Sequence, residues 1–335
     1  MPNTPVIATR TMPSTFATLA IDLRARKLAS ALVNDDGDIV AESYRDFEAQ
    51  SQTTIVTSIA AAIFDLAAHR KRGDNHIRAI GISTRQAGMA SFNELLSKEL
   101  SRQGVDIRRP AGTSQARADK DALPHPRLVL STRRVAAIAG EAWVGAAKGR
   151  RNAIVLTLGD VVEAGLMIEG QIVRGVSGRA GSVGWLALSE NWQEEFAGRG
   201  CFNIQAGRQS LIRRAIESWS DGADSVLGRI SSADLTPETI IRSAQAGDVI
   251  ASRAINDLLE WVGRGVANQI STLNPEVVVL RGDLGLALRP FVPELRKVVK
   301  KWCQPDAFKD CRITISPLGA RGVLIGAARL AMEQQ

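Results

Sequence analysis

Cysteine and histidine are scarce in this chain, with three of each in 335 residues. Cys201, Cys303 and Cys311 lie far from His69, His76 and His125, so no single segment carries a standard zinc spacing and no disulfide framework can be drawn. Such usage fits a reducing compartment. Long apolar runs are missing as well: nowhere do about 18 apolar residues follow one another, as a membrane-spanning helix requires. The N-terminal stretch MPNTPVIATRTMPSTFATLA has no basic start leading into an apolar core. A soluble, cytoplasmic chain without a membrane partner is expected. Residues 1–16, rich in Pro and Thr, read as a disordered leader too short to hold a helix-turn-helix, so no DNA-binding domain is expected in this chain. Acidic residues are outnumbered, 35 Asp+Glu against 42 Lys+Arg for a net charge of +7. The basic pairs, such as Arg133/Arg134 and Arg150/Arg151, are scattered rather than gathered in a tail. That spread reads as solvated surface, with an anionic ligand or nucleic acid as the minority reading.

What is present is a sizeable apolar fraction, 45%, in a length that suits two lobes better than one. Residues 16–44 alternate apolar and polar side chains around Asn34-Asp35-Asp36-Gly37, which predicts a hairpin or meander. A helix over 54–68 and a buried strand over 77–82 follow, then an amphipathic helix over 92–103. The polar, proline-punctuated stretch 108–126 reads as an insertion or linker. After a helix over 135–147, strands at 153–158, 164–168 and 171–173 repeat the opening pattern, which implies an internally duplicated α/β fold. The remainder is mostly helical, with strands at 277–280 and 313–315. Gly282 directly follows the first of these, a place where α/β sheets admit ligands.

Four stretches carry a resemblance: WVGRGVANQISTLNPEVVVLRG (261–282), EAWVGAAKGRRNAIVLTLG (141–159), IEGQIVRGVSGRAGSVG (168–184) and GARGVLIGAARLAM (319–332). They are similar to the ROK family of bacterial sugar kinases and sugar-responsive repressors. The resemblance spans about residues 18–332. It implies a two-lobed, duplicated actin/hexokinase-like (ribonuclease H-like) α/β fold with a cleft between the lobes. The expected division is a leader over 1–16, an N-terminal lobe over 17–130, a C-terminal lobe over 131–317, and a C-terminal helix over 318–335 returning to the N-terminal lobe. Gly282 and Asp283 fall on the family's adenosine side.

Departures from the family pattern fall on its chemical positions. The kinases follow the first-strand aspartate with bare glycines, so that backbone N–H groups can approach phosphate. Here Asp22 is followed by Leu23, Arg24, Ala25, Arg26 and Lys27. The family's Asn-Asp pair, whose aspartate takes the proton from the sugar hydroxyl, becomes Thr132-Arg133, and a guanidinium cannot act as a base near neutrality. The second phosphate loop becomes Gly159-Asp160, with Glu163 after it, and an aspartate repels a triphosphate. The family's sugar-binding and zinc loop, matched onto residues 182–203, carries Ser182 and Trp185 for the sugar-facing glutamate and zinc-binding histidine. Glu194 and Phe196 stand for two cysteines, Cys201 persists, and Asn203 replaces a sugar-facing glutamate. One soft ligand cannot hold a structural zinc. Trp185 and Phe196 are therefore expected to form an apolar plug in its place.

The resulting expectation is a ROK-like protein without catalytic base, zinc or required cofactor, acting as a sugar- or anion-responsive regulatory module and forming a homo-oligomer. The alternatives are a Mg-ATP-dependent sugar kinase with a remodelled site, or a structural subunit. Ion pairs joining Arg24, Arg26, Lys27 and Arg133 to Asp160 and Glu163 are expected to hold the two phosphate loops together. An anionic small molecule is the alternative occupant.

Overall fold

The computed structural model describes residues 8–9, 16–24, 27–46, 51–68, 76–84, 90–102, 126–219, 225–231 and 234–333. Its contacts divide into two units, residues 1–144 with 321–335, and residues 145–320. Among the described residues no helix is long and apolar enough to cross a membrane.

The first unit carries strands β1 (Ala8–Thr9), β2 (Phe16–Leu23), β3 (Lys27–Val33), β4 (Ile39–Asp46), β5 (His76–Thr84) and β6 (Arg127–Thr132). Its helices are α1 (Gln52–Ala68), α2 (Ala90–Arg102), α3 (Arg133–Val144) and the C-terminal helix Gly322–Glu333. The sheet runs β1-β4-β3-β2-β5-β6, with β2, β5 and β6 parallel and the other pairs antiparallel. The β3–β4 turn forms where the sequence signalled it. Asn34 Oδ1 accepts from the backbone N–H groups of Asp36 at 3.1 Å and Asp38 at 2.8 Å, and Gly37 supplies a φ of +87°. One sheet face, with Leu19, Ile21, Ile80 and Ile82, packs on Ile59, Ile63 and Leu66 of α1 and on Leu96 and Leu100 of α2.

The other face is covered by α3 and the C-terminal helix, which pack at backbone distance. A Cβ on Gly326 would stand 1.7 Å from the carbonyl oxygen of Ala136, and one on Gly81 would stand 2.0 Å from that of Ala327. This packing places α3 with the first unit, so the contacts divide after Val144 rather than at the expected 130/131. Two further elements depart from the sequence reading. Ala8–Thr9, assigned to a disordered leader, pairs antiparallel with β4. Strand β6, for which no strand was expected, completes the sheet. Of the expected insertion over 108–126, all but Pro126 lies outside the described residues.

The second unit repeats the scheme. Its strands are β7 (Ala153–Thr157), β8 (Glu163–Ile168), β9 (Gln171–Ile172), β10 (Val277–Arg281) and β11 (Arg312–Ile315). They are ordered β9-β8-β7-β10-β11, the same order of antiparallel meander and parallel pair as β4-β3-β2-β5-β6. Its helices are α4 (Glu195–Arg199), α5 (Cys201–Ala206), α6 (Arg208–Trp219), α7 (Pro237–Gln245), α8 (Val249–Leu273), α9 (Gly282–Ala287), α10 (Val292–Trp302) and α11 (Pro305–Asp310). Helix α8 organises the core, burying Ile255, Leu258, Leu259, Val262, Val266 and Ile270 along one side. Asp248 caps its first turn, accepting from Ala251 N–H at 2.9 Å, and Asn274 ends it in the left-handed conformation.

Candidate functional site

Parallel strands β2, β5 and β6 end side by side, and their register sets Asp22 opposite Ser83 and Ser83 opposite Ser131. Cross-strand partners share a sheet face. Asp22, Ser83 and Ser131 therefore line the face that carries α3, whose first residue is Arg133. Asp22 is fully buried, and its carboxylate is clamped by two guanidinium groups. Arg133 donates through Nε to Oδ1 at 2.7 Å and through Nη2 to Oδ2 at 3.3 Å. Arg24 donates through Nε to Oδ2 at 2.8 Å, and a backbone bond from Arg24 N–H to Lys27 C=O at 2.8 Å closes the turn that aims it. Burial on its own would raise the Asp22 pKa. The charges and hydrogen bonds of Arg133 and Arg24 more than offset that, and hold the carboxyl below its usual range.

This arrangement has consequences for proton transfer. Arg133, which the resemblance matched to a base position, is an arginine engaged with a carboxylate, and both oxygens of that carboxylate accept from guanidinium groups. Ser83 was not singled out from the sequence; its hydroxyl is buried without a hydrogen-bond partner. Lys27 is exposed at the start of β3. Arg26 lies outside the described residues. Asp22, a protein carboxylate, is one partner of both Arg24 and Arg133 within their own unit.

In the second unit, Gly159 and Asp160 follow β7. The carbonyl of Gly159 accepts from Arg208 N–H at 2.8 Å, and the Arg208 side chain reaches Glu238 at 3.3 Å and Asp283 at 4.0 Å. Asp160 is exposed and Glu163 half-buried at the start of β8. A cavity of about 470 Å³ beside them is lined by Asp160, Asn203, Arg208 and Arg213 among others. Gly282 has a φ of +83°, and a Cβ there would stand 2.3 Å from the carbonyl oxygen of Leu158. Close packing therefore accounts for this glycine without a nucleotide. In the second unit, the exposed carboxylate of Asp160 would repel a triphosphate.

The segment 182–203 holds its turns through glycine, with Gly200 at φ +83° because a Cβ would stand 2.4 Å from Gly184 C=O. Helix α4 forms within it and α5 starts within it. Phe196, Cys201 and Ile204 make a small buried cluster with Leu188 against it, and Trp192 meets the Phe196 ring edge-on with centroids 6.0 Å apart. Trp185 is not in this plug, for it is 58% exposed. Glu194 is exposed at the start of α4. The four positions matched by resemblance to zinc ligands carry one buried thiol, one exposed carboxylate and two aromatic rings, a donor set that does not fit a zinc ion. Ser182 spends its hydroxyl on Arg179 C=O at 2.8 Å, and Asn203 Oδ1 accepts from Val162 N–H at 2.7 Å. Both side chains thus bond to backbone groups of neighbouring turns.

The ROK family model matches residues 127–334. This chain belongs to the ROK family. A glucokinase of Halalkalibacterium halodurans is 27% identical to this ROK protein over 63% of the chain and 64% of the relative, so the match spans less than two thirds of that enzyme. A putative xylose repressor of Caldicellulosiruptor sp. is 25% identical over 94% of the chain and 78% of the repressor. Among solved structures, a ROK family transcriptional regulator homologous to the E. coli MLC protein superposes with a TM-score of 0.78 at 18% identity, covering 95% of this chain and 78% of that one. A Streptomyces griseus ROK glucokinase, solved with glucose and AMPPNP, gives a TM-score of 0.70 at 22% identity, covering 95% and 99%. The two-lobed actin-like ROK fold is thereby shown, with kinases and repressors both among its relatives.

Proposed function

We propose that this ROK protein is a non-catalytic binding module that responds to a small sugar or anionic metabolite, in the manner of the family's repressors rather than its kinases. One observation carries the reading: Arg133, which we match to the position of the family's base, is bound to Asp22. Phosphoryl transfer to a sugar requires a carboxylate free to accept the hydroxyl proton. A carboxylate held ionised by two guanidinium groups is poorly suited to take one. The poor zinc donors at the matched positions and the engagement of Ser182 and Asn203 with backbone groups support the same reading. Relatives named as xylose repressors fit a regulatory role. The second reading, an ATP-dependent sugar kinase with a remodelled site, is supported by the full-length alignment with a Streptomyces coelicolor glucokinase, 26% identical over 94% of this chain and 98% of that enzyme.

Calorimetric titration with neutral hexoses, amino sugars and sugar anions, with and without Mg-ATP, tests the choice. The module reading expects a ligand from this panel to bind without ATP and with no ADP released. Sugar binding that depends on ATP, accompanied by ADP formation, supports the kinase.

A further inference from the structure

We propose that the cavity between α4, α5 and α6 of the second unit is a binding site for a small zwitterion, an amino acid or dipeptide with an apolar side chain. The inference goes beyond the reading above and does not depend on it, because it concerns a separate site.

Charge pairing within the lining is the first argument. Arg208 is held by Glu238 and Asp283, and Arg213 by Glu195 at 3.5 Å and Glu217 at 3.8 Å. Asp160, in the loop after β7, and Arg199, the last residue of α4, also line the cavity, and both are exposed. Neither side chain has an ion pair or hydrogen bond among the described residues. A ligand can therefore engage one carboxylate and one guanidinium without displacing an existing pair. A simple anion would be repelled by Asp160 and a simple cation by Arg199. A molecule that carries an ammonium and a carboxylate satisfies both.

Shape and polarity are the second. Ile204, Ile212 and Ile216 supply the apolar part of a lining that encloses about 470 Å³, a volume within the range of small-molecule sites. An aliphatic or aromatic side chain on the ligand would cover these isoleucines. A hexose, polar on every edge, would bury hydroxyls against them without partners.

A third observation lies deeper in the wall. Ser210, in the first turn of α6, lines the same cavity, is 2% exposed, and has a hydroxyl without a hydrogen-bond partner. Such a buried hydroxyl is costly, and a ligand oxygen accepting from it removes the cost. Asn203, the neighbouring amide, is already spent on Val162 N–H. Ser210 thus gives the ligand's carboxylate a second donor besides Arg199.

The test is calorimetry on the full chain with leucine and leucyl-leucine at millimolar concentration. At least one is expected to bind, and the better binder tells whether the site spans a free amino acid or a dipeptide. The N-acetyl form of that binder lacks the ammonium, and its C-terminal amide lacks the carboxylate. Each should bind roughly tenfold or more weakly, the usual loss for a charge-assisted hydrogen bond. Arg199→Gln should weaken the zwitterion by a similar factor while leaving the amide form unaffected. Asp160→Asn should weaken it likewise while leaving the N-acetyl form unaffected. This matching of variant to probe is a coupling that a general loss of structure does not reproduce. Ser210→Ala should weaken the zwitterion severalfold. No binding of either zwitterion, equal affinity for the zwitterion and both blocked forms, or affinity unchanged in both Arg199→Gln and Asp160→Asn overturns the site. Zwitterion binding with the expected pattern of variants and probes supports it, whatever the sugar titrations give.

Discussion

Arg133 Nε lies 2.7 Å from Asp22 Oδ1, joining two residues 111 positions apart in the chain. The contact exists because β6 delivers Arg133 to the end of the sheet one strand beyond β5, and β5 pairs with β2. On the match to the family's motifs proposed above, it would tie the base position to the aspartate of the first phosphate loop.

The acid limb of stability should report on this pair. The Asp22 carboxyl is held below its unfolded value of about 3.9, so the stability it contributes is fully present above that pH and is lost as pH falls through the folded pKa. Urea midpoints measured from neutrality down to about pH 2.5 should therefore fall more steeply for wild type than for Asp22→Asn below about pH 4. At pH 7 the variant should be less stable by about 1–3 kcal/mol, less than for a fully buried pair because both arginines are partly hydrated. Parallel pH profiles for the two proteins would show that Asp22 is not linked to folding.

Phe196 should matter as a zinc ligand would have mattered. Phe196→Ala empties a buried cluster and should cost about 3 kcal/mol, seen as a lower thermal midpoint. Chelator should leave the wild-type midpoint unchanged, and elemental analysis should find no stoichiometric zinc. A chelator-sensitive midpoint, or about one zinc per chain, would mean that the loop still binds metal through donors other than those assigned.

Gly282 separates packing from nucleotide binding. Gly282→Ala combines a left-handed φ with a Cβ 2.3 Å from Leu158 C=O, and should destabilise by more than about 1 kcal/mol. Mg-ATP should bind the wild type too weakly for calorimetry to resolve. Micromolar Mg-ATP affinity in the wild type, abolished by this substitution at a temperature where the variant is folded, would restore the glycine to a nucleotide role.

Much of the fold was legible because its elements carry their own periodicity and punctuation. Helix α8 is readable from apolar spacing between Asp248 and Asn274, and the β3–β4 turn from Asn34 through Gly37. Strand β6 was not legible: it is only six residues long and ends in Ser131-Thr132, with the polar stretch 108–126 just before it. Helices α4 and α5 were hidden by Gly198 and Gly200, which break the helical pattern into short pieces. At the candidate site, Arg133 was identified by matching a family motif, and its chemistry followed from residue type. Its engagement with Asp22 and the unpaired hydroxyl of Ser83 depend on strand order and register, which no local pattern encodes. Trp185 was assigned to the plug because it matched the family's zinc-binding histidine, yet it is exposed, and Trp192 takes the place beside Phe196.

Phosphorus-31 NMR of the protein at high concentration with Mg-ATP and saturating sugar, followed for hours, tests the central claim most directly. At such concentrations even very slow phosphoryl transfer accumulates product. The account predicts an ATP spectrum unchanged relative to a sugar-free control for every hexose and amino sugar tried. A sugar-phosphate resonance growing with time, and absent from the Asp22→Asn variant, would contradict it and identify Asp22 as a working catalytic group.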